Sequence, residues 1–223
     1  MTALVVFDLD GTLIDSRRDL AESTNEMLGT YGAPALPLER VAGMVGEGAK
    51  KLVERALAAS ALDPATPDAL DRFRTIYDRR LFNHTRPYDG IADVLAGVDE
   101  RASLAVLSNK PEAPTRRLLD GFGLAERFQW IMGGDSPFPR KPDPAGLHHL
   151  MQQAGAGVAS TLFVGDSMID VETSRRAGVQ ICVALYGFGG LRGDLSLSSH
   201  EWTVTQPAEL SGVIARFLTA ALA

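Results

Sequence analysis

Apolar positions along the chain follow two rhythms. Short apolar runs, Leu4 to Phe7, Leu104 to Leu107, Phe128 to Met132, Thr161 to Val164, Gln180 to Leu185 and Trp202 to Val204, predict strands. Between them apolar residues recur every three or four positions. That spacing predicts helices over Gly90 to Gly97, Pro111 to Gly121, Pro144 to Ala154 and Ile169 to Ala177, with Pro207 opening a last one. Such alternation predicts an α/β fold, a Rossmann-like parallel sheet with helices on both faces. Residues 16 to 85 depart from it. Ser16 is a candidate N-cap, Leu20, Thr24, Met27, Leu28 and Tyr31 form a helical stripe, and Gly32-Ala33-Pro34 stops it. Further helices are predicted over Leu38 to Met44, Ala49 to Ala61 and Asp68 to Asn83, the last with Leu70, Phe73, Ile76, Tyr77 and Leu81 on one face. No strand is predicted there. The expected organisation is a core of residues 1–15 and 87–223 with an inserted all-helical unit, 16–86.

Composition narrows the partners more than the fold. At 223 residues and 45% hydrophobic, the chain can bury a sizeable core as one domain or as a domain with an insertion. A net charge of −6 argues against a nucleic-acid-binding surface. The single cysteine, Cys182, lies in the apolar run Val179 to Leu185 with no basic cluster around it, and is expected to be a buried strand residue. The chain enters a strand at once, without a basic and apolar leader, and no apolar run approaches the ~18 residues that suggest a membrane span. The expectation is a cytoplasmic protein that engages neither nucleic acid nor membrane.

Three predicted strands run into a polar residue: Val5-Val6-Phe7 into Asp8, Ala105-Val106-Leu107 into Ser108, and Phe163-Val164-Gly165 into Asp166. Parallel strands bring such endings to one sheet edge, where open α/β folds bind ligands. Lys141 comes from the loop after the strand ending near Met132. Acids, a hydroxyl and a lysine gathered there would suit a phosphate and a hard cation. Taken singly, each has a plainer account. Asp8-Leu9-Asp10 also fits an acidic turn, Ser108 a turn cap, Lys141 a solvated charge, and Asp166 with Asp170 a helix N-terminus. Gly43 to Lys50 has the glycine spacing of a Walker A loop, but Ala49 stands where lysine is required and no strand precedes it. Gly187 to Arg192 fails G-x-G-x-x-G at its last position, and the adjacent His148 and His149 point to different sides of a helix.

Leu4 to Ser16, with Asp8-Leu9-Asp10-Gly11-Thr12 at its centre, resembles the first motif of the haloacid dehalogenase-like phosphohydrolases. Leu107-Ser108-Asn109-Lys110, Arg140-Lys141-Pro142-Asp143-Pro144 and Gly165-Asp166-Ser167-Met168-Ile169-Asp170 resemble the remaining three, in the family's order, so the likeness covers nearly all of the chain. It implies that Asp8 attacks phosphorus and becomes an aspartyl phosphate. It implies that Asp10 protonates the leaving alcohol and later takes a proton from water. Ser108, with Asn109 beside it, would hold the phosphate, and Lys141 would balance its charge. Mg²⁺ would lie on the side chains of Asp8 and Asp166 and the Asp10 carbonyl, with Asp170 behind them orienting waters or pairing with Lys141. Ile169, where relatives often carry asparagine, is expected to alter packing around the site and not the mechanism.

The helical unit corresponds to the family's cap, which closes over the site and excludes water. Val45 to Leu57 and Thr85 to Ile91 resemble the cap loop and cap exit of bacterial phosphoglycolate phosphatases. Gly46 and Gly48 would let backbone amides approach a ligand, and Lys50 or Arg55 would meet a substrate carboxylate; the alternative for Lys50 is a solvated charge at a helix start. The resemblance therefore implies an Mg²⁺-dependent hydrolase, monomer or homodimer, acting on a small phosphorylated metabolite such as 2-phosphoglycolate. A phosphosugar mutase of the same fold and a non-catalytic phosphoacceptor stay open, the second opposed by Asp10 and by the cap.

Overall fold

The computed structural model describes residues 2–98, 100–189 and 201–222. Strand β1 (Ala3–Phe7) is apolar and buried at every position, as a strand covered on both faces must be. It ends where Asp8, Asp10 and Gly11 turn the chain. Gly11 has φ +94°, and a Cβ there would collide with the Asp166 carboxylate, so only glycine serves. Strand β2 (Ile14–Asp15) leads into helices α1 (Arg17–Gly29), α2 (Leu38–Ala42), α3 (Ala49–Ala59) and α4 (Ala69–Arg80), and β3 (Arg86–Pro87) returns antiparallel to β2. This two-residue ladder closes the helical block at its base. It is too short for any alternation to be readable in the sequence.

The α/β rhythm then runs through α5 (Ile91–Ala96), β4 (Ala102–Leu107), α6 (Glu112–Gly121), β5 (Trp130–Met132), α7 (Ala145–Ala154), β6 (Thr161–Gly165), α8 (Met168–Ala177), β7 (Gln180–Ala184), β8 (Trp202–Val204) and α9 (Glu209–Ala221). The strand expected from Phe128 starts two residues later, because a 3₁₀ turn over Ala125–Arg127 delivers the chain to it. Of the glycine-spaced stretch Gly187 to Arg192 that follows β7, residues 190–192 lie outside the described residues.

Six strands form one parallel sheet in the order β5-β4-β1-β6-β7-β8. Strand β1 lies between β4 and β6, with Phe7 paired to both Val106 and Val164. The three strand ends therefore sit side by side at the point where strand order reverses, the usual place for a ligand crevice. Alternation along β1 divides the interior in two. Ala3, Val5 and Phe7 face one core, shared with Leu118 of α6 and Ile214 of α9; Leu4 and Val6 face the other, shared with Leu147 of α7 and Val171 of α8. The first core continues into the helical block through Met27, Leu52 and Phe73, which makes a floor and a roof around the β1 edge. Cys182 is buried in β7, and burial pushes its thiol up to about 12, so it is not a reactive thiolate.

Candidate active site

The ends of β1, β4 and β6 open into a cavity of about 710 Å³, roofed by residues of α3 and α4. Asp8 leaves β1 with its N–H donated to the Val164 carbonyl at 2.8 Å, which fixes its backbone. Its Oδ1 lies 2.8 Å from the buried Lys141 ammonium, and Lys141 also reaches Asp170 Oδ1 at 2.7 Å. The other Asp170 oxygen accepts the Ser167 N–H at 3.1 Å and the Ser167 hydroxyl at 2.6 Å, the reciprocal cap that opens α8. Asp170 is thus both a helix cap and the partner of Lys141. Asp166 Oδ2 accepts the N–H groups of Phe188 and Gly189 at 3.0 and 2.7 Å. Those backbone donors escape motif reading because backbone N–H groups carry no residue signature.

Asp8, Asp166 and Asp170 offer oxygens within 4.8 Å of one another, with the single ammonium of Lys141 among them. Burial lifts Asp8 to about 6, with Lys141 opposing and Asp170 adding to the rise. Burial and then the charges of Asp8 and Asp170 hold Asp166 well above the usual carboxylate range. Burial works against the Lys141 charge, but Asp170 and Asp8 outweigh it and keep this lysine protonated. A buried excess of hard oxygen donors fits a divalent cation that prefers oxygen. Both Asp170 oxygens, Asp8 Oδ1 and Asp166 Oδ2 are already engaged by donors, so within this cluster Asp8 Oδ2 and Asp166 Oδ1 are the carboxylate oxygens left for it.

Asp10 faces the other way. Its Oδ1 accepts the Ser16 hydroxyl at 2.6 Å, and both its oxygens meet Lys110 Nζ, at 3.0 and 2.8 Å. Its side chain stands outside the acid cluster, so a share in a cation would fall to its carbonyl, as the resemblance implies. Lys110 is buried, and its ammonium lies 4.7 Å from the centre of the Tyr77 ring on α4. Burial opposes the Lys110 charge, while Asp10 and then Tyr77 more than offset it. Neither Lys110 nor Tyr77 is expected from sequence to have a site role. Lys110 sits two residues after Ser108, within a motif, and that position is the signal that finds it; Tyr77 is hidden in the apolar stripe of its helix.

Ser108 Oγ accepts the Lys110 N–H at 3.2 Å. Asn109 donates from its amide nitrogen to the Gly46 carbonyl at 2.9 Å and the Lys141 carbonyl at 3.0 Å, tying the loop before α3 to the lysine loop. With those hydrogens engaged, its backbone N–H is what it can offer a phosphate, since the amide oxygen is an acceptor. Gly46 and Gly48 line the cavity. Gly46 (φ +126°) is pressed against Ile169, whose Cδ1 would lie 3.0 Å from an added Cβ, so the unusual Ile169 packs on the cap loop.

Lys50 is not brought to the cavity. Ala49 and Leu52, three apart on α3, take the inner face, and Lys50 turns to solvent with 68% of its side chain exposed and its Nζ 3.9 Å from Glu54. Arg55 is likewise engaged by Glu47 and the Met44 carbonyl. Lys50→Ala is therefore expected to change kcat/KM for any substrate by less than about twofold, as exposed substitutions do; steady-state kinetics on a carboxylate-bearing phosphate ester checks it, and a tenfold loss would restore Lys50 to the site.

The model of the haloacid dehalogenase-like hydrolase family matches residues 5–184, and the chain belongs to that family. Within it the chain stands among phosphatases. A phosphoglycolate phosphatase of Pseudomonas syringae pv. syringae is 42% identical over 192 residues, covering 83% of this chain and 70% of that protein. One from Rhodospirillum rubrum is 40% identical over 196 residues, covering 84% and 81%. The crystal structure of a predicted phosphoglycolate phosphatase from Haemophilus somnus has a TM-score of 0.86 at 29% identity, covering 95% of this chain and 97% of that one. Among the described residues no helix is long and apolar enough to cross a membrane.

Proposed function

We propose that the chain is an Mg²⁺-dependent phosphomonoesterase that acts through an aspartyl phosphate at Asp8, on a small organic phosphate such as 2-phosphoglycolate. The observation that carries this reading is a pair of acids two residues apart in unlike surroundings. Asp8 lies against Lys141 in the acid cluster, and Asp10 is held by Ser16 and Lys110 on its other side. One is placed to attack and the other to move protons. Asp8 forms a bond to phosphorus as the bond to the ester oxygen breaks, and Asp10 protonates that oxygen so that it leaves as an alcohol. Water then attacks phosphorus, gives a proton to Asp10 and releases inorganic phosphate, restoring Asp8. Ser108 holds a phosphoryl oxygen, Lys141 offsets the charge of Asp8 and the phosphoryl group, and Asp170 positions Lys141. Bound Mg²⁺, on Asp8, Asp166 and the Asp10 carbonyl, would neutralise phosphoryl oxygens.

Residues 16–86 serve in this reading as a cap on the core of 1–15 and 87–223, joined at the β2–β3 ladder. Contacts from Asn109 and Ile169 to Gly46 are where it meets the core over the site. The names of the relatives support the choice of substrate. Free phosphate released from a panel of phosphate esters tests the whole. Release is expected with Mg²⁺, with silence on chelation and recovery when Mg²⁺ returns. Transfer without free phosphate would point to a mutase, and no turnover of any ester would refute the proposal.

The electrostatics add a pH dependence. Asp8 of the metal-free protein holds its proton up to about 6, so protons compete with the cation below that pH. Mg²⁺ affinity should weaken as the pH falls below about 6, and binding near that pH should release protons. Calorimetric titration in buffers of different ionisation enthalpy reads both, and an affinity independent of pH would count against Asp8 as a ligand.

A further inference from the structure

We propose that the Lys110 ammonium and the Tyr77 hydroxyl form a receptor for a carboxylate on the carbon that bears the substrate's ester oxygen, so that the enzyme selects phosphate esters of 2-hydroxy acids. This rests on the phosphatase reading above and names the residues that choose its substrate.

If Asp10 protonates the ester oxygen, that oxygen must come to the Asp10 carboxyl. A carboxylate on the adjoining carbon then falls beside whatever neighbours Asp10, and that neighbour is Lys110, 2.8 Å from Asp10 Oδ2. A lysine ammonium has three donors. Asp10 takes contacts at both its oxygens, which leaves one donor for another acceptor. Lys110 lines the same cavity as Asp8 and Ser108. Lys141 does not serve, being held between Asp8 and Asp170. Arg74, Arg79, Arg117 and Arg140 also line the cavity, but all are exposed and already engaged, with Asp71, Glu26, Asp78 and the Gly134 carbonyl.

Tyr77 supplies the second, independent observation. It lines the cavity, is only 7% exposed, and its hydroxyl has no hydrogen-bond partner. The Lys110 ammonium acts on the phenol oxygen both as a charge and as a nearby donor, yet no hydrogen bond of ordinary geometry joins the two, and an ammonium cannot accept the phenol's own proton. Burial pushes the phenol up to about 12, so it stays protonated and can only gain from an acceptor. A buried hydroxyl left without a partner calls for a ligand or water. A carboxylate carries two acceptor oxygens, one for the ammonium and one for the phenol. The buried cation and the unpaired donor thus match the same group.

The test compares phosphoglycolate with ethyl phosphate, which has the same skeleton with methyl in place of carboxylate. The quantity read is the ratio of their kcat/KM values within each variant, so damage common to both substrates cancels. Tyr77→Phe keeps the ring over Lys110 and removes only the donor; it should lower the ratio about tenfold or more, the scale of a hydrogen bond to a charged group. Lys110→Met should lower it about a hundredfold or more, beyond a general loss of rate through Asp10. A ratio within twofold of wild type in Tyr77→Phe overturns the receptor, and that variant decides alone if Lys110→Met fails to fold. A wild type that shows no preference for phosphoglycolate over ethyl phosphate overturns the receptor and leaves the phosphatase standing. A wild type that turns over no phosphate ester removes both.

Discussion

Asp8→Asn is expected to abolish phosphate release, by about 10⁴-fold or more, without unfolding the protein. An amide cannot attack phosphorus, and it withdraws the anionic oxygen that Asp8 would give to a cation. The fold should tolerate the change. Asp8 is buried, and its folded-state value of about 6 stands above the ordinary 3.8. The folded protein therefore binds the proton more tightly than the unfolded chain, and the metal-free wild type loses stability as the pH rises from about 4 to about 6. The asparagine variant carries no such penalty, and Lys141 keeps Asp170 at 2.7 Å. Without metal at neutral pH, the melting temperature of the variant should equal or exceed that of wild type. Phosphate release under saturating Mg²⁺ and substrate, read beside thermal denaturation by circular dichroism, measures both. Undiminished turnover beside an active wild type would remove Asp8 from the role of nucleophile.

The convergence of Asp8, Ser108, Asp166 and Lys141 was legible in the sequence because topology does the gathering. Once the apolar runs are read as parallel strands, the residues after them must share one sheet edge. The inserted helical block was legible for a similar reason, since a helical period interrupting the strand rhythm has no other place to go. What stayed hidden depends on phase and on backbone. Whether Lys50 points inward is set by the phase of α3, and Lys50 stands at the edge of the buried stripe of Leu52, Val53, Ala56 and Leu57, where periodicity alone does not decide. The Phe188 and Gly189 N–H groups that hold Asp166 have no residue signature at all. Tyr77 fits the apolar stripe of α4 so well that its hydroxyl goes unnoticed, yet a tyrosine in such a stripe always brings a polar atom that needs a partner. The β2–β3 ladder is formed by pairing across more than 70 residues, not by local pattern.

Asp10→Asn should separate the two acids by leaving group. In the proposed mechanism the proton from Asp10 matters in proportion to how poor the departing alcohol is. General acid help of this kind typically contributes ~10²–10⁴-fold. On an alkyl phosphate the variant should lose that much of its phosphorylation rate, whereas p-nitrophenolate departs readily without a proton and its ester should lose far less. Ser16 can still donate to the amide oxygen that replaces Oδ1, so the side chain should keep its place while the acid function goes. Lys110 would lose its anionic partner, and some loss common to both substrates is expected from that alone. The measurement must follow the first step, by rapid-quench single turnover with enzyme in excess, because Asp10 also assists hydrolysis of the aspartyl phosphate and would mask the contrast at steady state. The decisive quantity is the difference between the two losses. If both esters slow by the same factor, Asp10 only holds Lys110 and the loop behind β1 in place, and the proton must reach the leaving oxygen from another group.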